Sequence, residues 1–238
     1  TVSGFEGGTG AAPLSSIKYA GLPWELGIAE AQQVLVKNDL RGRVRLQVDG
    51  GVRTGRDVVI GALLGADEFG MATASLIATG CIMLRKCHLN TCSVGIATQD
   101  EDLRRSYRGD PQHVVNYFLF VAESVRRHMA ALGVRRFDEL VGRVDYLAQR
   151  DLSKDGDVGH WKARRLDLGA LIAPPDAPAS HARGTIAVQR KDVSEHFDQV
   201  LLHRAKSALE GGGPVQIELP VSNSHRAIGA MLSGEIAR

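Results

Sequence analysis

The sequence predicts an α/β fold built on a parallel sheet, and three observations carry that expectation. Short alternating apolar runs end on glycine, as Val44, Leu46 and Val48 do before Asp49-Gly50-Gly51. A stretch with helical spacing of apolar residues follows each such glycine turn. Two of these strand–turn–helix units stand in tandem between residues 43 and 77, which is the grammar of βαβ units and parallel sheets.

In chain order, residues 3–13 hold four glycines and no bulky side chain after Phe5. Glycine admits positive φ and lets backbone N–H groups close on an anion, so this loop is either a plain surface loop or a phosphate cradle. Nothing precedes it that reads as an element. Trp24 to Asp39 predicts a helix with Ile28, Ala31, Val34, Leu35 and Leu40 on its apolar stripe. Val44 to Val48 predicts a strand, and Arg56 to Leu64 a helix ended by Gly65. Ala66 to Gly70 predicts a second short strand leading into a helix at Met71-Ala72-Thr73.

In (β/α)8 barrels the phosphate site is often built from the loops after the last two strands and a short helix N-terminus. Asp49-Gly50-Gly51 and Gly70-Met71-Ala72-Thr73 fit those loops. Each following helix is expected to offer free N–H groups and a positive dipole end. Arg53 is expected to add a charged fork to the same phosphate, against the plainer reading of a solvated surface charge.

Further on, Thr98 to Tyr107 predicts a short surface helix. Asp110-Pro111 begins a long one, with a carboxylate at the N-cap and proline at the first helical position. Val114, Phe118, Val121, Val125 and Met129 mark its core face, and Gly133 stops it. Phe137 to Tyr146 predicts a short helix and turn. From Asp151 to His181 the pattern weakens, and Ala173-Pro174-Pro175-Asp176-Ala177-Pro178 reads as a linker. Asp192 to Leu209 predicts a helix and Val215 to Pro220 an edge strand.

Bulk properties exclude several classes. Hydrophobic content of 44% and charged content of 24% are ordinary for a globular chain of 238 residues. A net charge of +2 offers no pull toward nucleic acid or a membrane surface. No run of about 18 apolar residues occurs, the length a spanning helix needs. The odd cysteine count argues against a closed disulfide framework and for a reducing, cytoplasmic setting. The opening inside a glycine loop and the close at Gly234-Glu235-Ile236-Ala237-Arg238 read as a piece of something longer.

All three cysteines, Cys81, Cys87 and Cys92, lie within twelve residues as C-x5-C-x4-C. A structural zinc wants four ligands, commonly paired at closer spacing, although His88 offers a fourth. A four-iron cluster wants four thiolates. Three thiolates match a three-iron cluster, one per iron. Buried inert thiols are the remaining alternative. The spacing favours a cluster over zinc, and zinc over inert thiols.

These residues also carry a family resemblance. Gly7-Gly8-Thr9-Gly10-Ala11-Ala12-Pro13-Leu14-Ser15-Ser16-Ile17-Lys18 and Gly21-Leu22-Pro23-Trp24-Glu25-Leu26-Gly27 resemble the synthase domain of glutamate synthases. Asp49-Gly50-Gly51-Val52-Arg53-Thr54-Gly55-Arg56-Asp57-Val58 and the Cys81, Cys87, Cys92 spacing do the same, over roughly residues 3–147 and again 217–238. The resemblance implies the C-terminal part of an FMN-binding (β/α)8 barrel with a cluster-binding loop and helical extension, residues 1–174. It implies the start of a β-helix domain over 175–238. It further implies a [3Fe-4S] cluster on Cys81, Cys87 and Cys92, with FMN held by Gly8, Thr9, Gly10, Asp49, Gly50, Gly51, Arg53, Gly70 and Thr73.

The implied reaction is reduction of the imine of 2-oxoglutarate and glutamine-derived ammonia to glutamate. Electrons would come from an NADPH-oxidising small subunit or from ferredoxin. Phe5-Glu6 departs from the family pattern, which weakens any role for Glu6, and Lys18 reads as a surface lysine. Two other classes remain open: a non-catalytic iron–sulfur or zinc module, and another FMN oxidoreductase such as an α-hydroxyacid oxidase, whose loop Asp49 to Arg53 also resembles.

Overall fold

A computed structural model describes residues 1–151, 163–187, 194 and 196–237. The chain divides into two compact units, Thr1–Ala187 and Val188–Arg238.

The first unit is built on a parallel sheet of Val2–Ser3 (β1), Gln47–Asp49 (β2) and Glu68–Phe69 (β3), in the order β1-β2-β3. Val48 pairs with Val2 on one side and Phe69 on the other. The parallel sheet is as the sequence predicts, but β2 begins three residues later than expected. The cause lies at Val44, whose carbonyl accepts from the side chains of Arg41 and Thr185 and is unavailable to a ladder. Inter-strand bonding starts at Leu46, whose carbonyl accepts from the N–H of Asp67 and Glu68. The glycine-rich loop, expected to lack a preceding element, is carried by β1. Two residues of strand are too few to show a period, so it was not legible.

Seven α-helices are described in this unit: Leu14–Tyr19 (α1), Trp24–Lys37 (α2), Gly55–Leu64 (α3), Thr73–Ala78 (α4), Glu101–Arg104 (α5), Pro111–Leu132 (α6) and Gly169–Ile172 (α7). The buried stripe of α2 is Trp24, Ile28, Ala29, Gln32 and Val36. It is rotated from the expected one, and Val34 is 60% exposed. Trp24, Ile28 and Ala29 pack with Leu46, Val48 and Val52 of the strand region and with Val58 and Leu64 of α3. On the other side, Val59, Ala62 and Leu63 of α3 pack with Met129, Val134 and Leu140. Each such fully buried aliphatic side chain contributes about 1.5–3 kcal/mol. Helix α3 therefore sits between two apolar layers, which accounts for its near-continuous hydrophobicity.

Helices α3 and α6 cross closely at Gly55, where an added Cβ would lie 2.6 Å from the Ser124 Cβ. The expected core face of α6 holds at Val121, Val125 and Met129, but Phe118 is 44% exposed. Asp110 caps α6 through the Gln112 N–H at 2.8 Å, and Gly133 closes it at φ 71°. The turns at Phe137–Leu140 and Val144–Tyr146 are 3-10 helices.

The first unit runs past residue 174 to Ala187 because residues 181–187 pack on it. The His181 Nδ1–H donates to the Val36 carbonyl at 2.7 Å, and Gln32 Nε2 donates to the Arg183 carbonyl at 2.7 Å. Among the described residues no helix is long and apolar enough to cross a membrane.

In the second unit, Asp198–Leu209 (α8) and Ala230–Ile236 (α9) pack together. Asp198 joins them by accepting from the N–H of Gly229 and Met231, each at 2.8 Å. Of the helix expected over 192–209, residues 192, 193 and 195 lie outside the described residues, and α8 begins at Asp198. The edge strand expected over 215–220 does not form; those residues are irregular. A strand needs a partner to satisfy its ladder, and none of the described residues in this unit is extended beside it.

Candidate functional site

The three strands end at one place, and a cleft of about 310 Å³ opens there. Ser3, Glu6, Gly7 and Gly8 come from the loop after β1, Asp49 to Arg53 from the loop after β2, and Gly70 to Thr73 from the loop after β3. Parallel strands force this arrangement, since all their C-terminal ends point the same way.

The cleft is built of backbone more than side chain. Gly50 has φ 74° and Gly51 φ 124°, conformations that side-chain-bearing residues rarely adopt. A Cβ on Gly50 would come within 2.7 Å of the Gly4 nitrogen and 2.8 Å of its oxygen. One on Gly70 would lie 2.9 Å from the Asp49 Cβ. The loops touch through glycine, which leaves a floor of amides suited to phosphate oxygens.

Of the sequence-predicted residues, Gly8, Asp49, Gly50, Gly51, Arg53, Gly70 and Thr73 line this cleft. Thr9 and Gly10 do not. The Thr9 carbonyl closes a turn with the Ala12 N–H at 3.0 Å, and Gly10 faces the cysteines instead.

The N-terminus of α3 is capped by its own side chains. Thr54 and Asp57 form a reciprocal capping box, and the Asp57 carboxylate accepts from the N–H of Arg53 at 3.0 Å and of Thr54 at 2.9 Å. Helix α4 has no side-chain cap. Arg53, in turn, pairs with the Glu6 carboxylate. Its carbonyl accepts from the Tyr117 hydroxyl at 2.7 Å. Ser3, Glu6 and Val52 also line the cleft. Their only signal was adjacency to the glycines. Lys18 is exposed on α1, as expected.

The three cysteines line one small apolar pocket with Ile82, Leu84 and Val94. Its free volume is about 10 Å³, so a bound group has to part its walls. Met83, Arg85 and Asn90, none of them glycine, have φ of 54°, 58° and 59°. Such left-handed residues cost of order 1–3 kcal/mol each and gather at functional loops. They turn this short segment so that all three thiols face one pocket.

Hydrogen bonding suits thiolates there. The Met83 N–H donates to Cys81 Sγ at 3.3 Å. Backbone N–H groups, Ala97 foremost and then Ile96, Val94 and Gly95, hold the Cys92 thiol below its ordinary pKa against the opposing effect of burial. Asn90 ties the loop down, its Oδ1 accepting from the Gln99 N–H at 2.6 Å. Among the described residues no group of three or more His, Cys, Asp or Glu is placed to hold a single metal ion, and His88 is exposed. A three-iron cluster takes one thiolate per iron and does not need the thiols to converge on one point; the donor set fits it.

One loop runs from the cleft to the cysteine pocket. A Cβ on Gly10 would lie 3.5 Å from Cys87 Sγ, and Arg85 Nη1 donates to the Ala12 carbonyl at 3.3 Å. The glycine loop after β1 thus touches the cleft with one end and the cysteine segment with the other.

Comparison with known proteins identifies the family. A family model described as a conserved region in glutamate synthase matches residues 1–135. The whole chain aligns at 48% identity with the glutamate synthase [NADPH] large chain of Bacillus subtilis, covering 15% of it. It aligns at 51% with the glutamate synthase [NADH] of Schizosaccharomyces pombe, covering 11%, and at 42% with a ferredoxin-dependent glutamate synthase of Antithamnion, covering 15%. The chain thus spans about a seventh or less of the relatives it matches, and it belongs to the glutamate synthase family.

Proposed function

We propose that this chain carries the flavin- and cluster-binding part of a glutamate synthase, with FMN in the cleft and a [3Fe-4S] cluster on Cys81, Cys87 and Cys92. The observation that supports this most is that one loop lines the cleft at Gly7 and Gly8 and meets the cysteine segment at Gly10 and Ala12. An electron carrier is useful only beside the group it serves. In this reading the three parallel strands are the last of a (β/α)8 barrel, and residues 175–238 start a β-helix domain.

The chain's own residues have distinct tasks. Gly50, Gly51 and Gly70 leave room for phosphate oxygens to approach the backbone, and the uncapped start of α4 adds N–H donors. Tyr117 fixes the Arg53 backbone from α6. The Met83 amide donates to Cys81 Sγ, and the amides around Cys92 favour its ionised form. When bound, FMN supplies hydride to the imine of 2-oxoglutarate and ammonia, and the cluster supplies electrons one at a time. The electron source is an NADPH-oxidising subunit or ferredoxin, the protein is cytoplasmic, and no residue of this chain is assigned a catalytic role.

Cys81→Ser in the full-length protein tests this. Flavin content should be retained while flavin reduction by the electron donor is lost, followed by bleaching of the flavin absorbance. Reduction at the unaltered rate would refute the relay.

A further inference from the structure

The residue that departs from the family pattern is the one whose placement is most informative. Glu6 lines the cleft and its carboxylate is ion-paired with Arg53 Nη2. The same carboxylate oxygen lies 3.6 Å from where a Cβ on Gly51 would sit, so it hangs over the glycine floor. The Arg53 backbone is clamped by Asp57 and Tyr117, while its side chain is 51% exposed and can swing. The cleft's charged side chains are Glu6 and Asp49 against Arg53 alone. A free anion entering it therefore meets no net positive charge.

We propose that Glu6 is a built-in competitor for Arg53. A phosphate ester must displace the carboxylate from the guanidinium, and that exchange makes the cleft select a phosphate attached to a larger bound body over free phosphate. This rests on reading the cleft as a phosphate cradle. A free dianion gains little from the exchange, because it takes the place of Glu6 on Arg53 while facing repulsion from both Glu6 and Asp49. A phosphate carried on a ring system anchored elsewhere gains effective concentration and completes the exchange. Glu6 is thus a specificity-determining residue.

The test uses flavin-stripped full-length protein, titrated by fluorescence with FMN, with riboflavin (which lacks the phosphate) and with FMN in competition with inorganic phosphate. Glu6→Gln keeps the shape and an acceptor for Arg53 but removes the charge. It should tighten FMN about five- to tenfold, as expected for removing one nearby like charge in a half-exposed site, leave riboflavin unchanged, and let inorganic phosphate compete at lower concentration. The gain should shrink at high salt. In an Arg53→Gln background the same change should gain less, because there is no partner to hand over.

If Glu6→Gln weakens FMN, or shifts FMN and riboflavin equally, the competitor role is overturned while a preference for FMN over riboflavin keeps the cradle. If FMN binds the unaltered protein no better than riboflavin does, the cradle itself fails and the proposal with it.

Discussion

Arg41→Met should destabilise the first unit through a site far from the cleft. The Arg41 side chain is fully buried. Its Nε donates to Gln32 Oε1 at 2.6 Å, Nη1 to the Val44 carbonyl at 2.8 Å, and Nη2 to the Gly65 carbonyl at 2.9 Å and Asp67 Oδ2 at 2.7 Å. One guanidinium thus ties α2, the approach to β2, the end of α3 and the approach to β3. These are the N-terminal ends of the strands whose C-terminal ends make the cleft. Asp67 also accepts from the Leu46 N–H at 2.7 Å, so it is left half-buried with a partner remaining.

Breaking one partner of a buried pair costs about 3–5 kcal/mol. Asp67, 16% exposed, can recruit water, which puts the expectation near the lower bound. About 3 kcal/mol with a urea slope of about 2 kcal/mol/M is a midpoint shift of about 1.5 M. That is a large share of the roughly 5–15 kcal/mol holding a domain folded. The double variant Arg41→Met with Asp67→Asn should lose less than the two single losses added together. A midpoint shift for Arg41→Met under about 0.3 M, within the range of ordinary surface changes of about 0.5 kcal/mol, would refute the clamp.

Two further outcomes follow from particular contacts. Gly50→Ala forces a residue with φ 74° to carry a Cβ 2.7 Å from the Gly4 nitrogen. It should cost about 1–2 kcal/mol from the left-handed conformation alone and weaken FMN at least tenfold by the roughly 1.4 kcal/mol equivalence; unchanged FMN titration would contradict the glycine floor.

In the second unit, burial alone would raise the Asp198 carboxyl, but the Gly229 and Met231 N–H groups and the nearby His196 more than offset it, leaving its pKa below the ordinary 3.8. A depressed carboxylate stabilises above its unfolded pKa, and the contribution is lost as pH falls through the folded value. The circular dichroism of α8 and α9 should therefore hold from neutral pH down to the ordinary carboxylate range and fall only below it. Asp198→Asn should remove that acid step; an unaltered acid step in that variant would contradict the assignment.

The legible parts of this fold were those with local causes. Asp110, Pro111 and Gly133 bound α6 because capping is decided within a few residues, and Gly65 ends α3 for the same reason. The three thiols could be grouped because twelve residues of chain cannot separate them far. What sequence could not supply were effects of distant partners. Glu6 and Arg53 are 47 residues apart, and nothing local announces their pairing. Val44 is removed from the expected strand by Thr185, 141 residues away. The cap of α3 also has a local cause, Thr54 and Asp57 at capping-box spacing. Val215 to Pro220 alternates like a strand, but alternation without a neighbouring ladder does not make one.

The most direct test is chemical. Full-length protein carrying this chain, prepared anaerobically, should contain about three irons and about four acid-labile sulfides per chain, as a cluster held by three thiolates requires, together with one flavin and no stoichiometric zinc. Cys92→Ser should lose the iron and sulfide while keeping the flavin. Stoichiometric zinc with no sulfide would contradict the pairing of a cluster with a flavin on which the account rests.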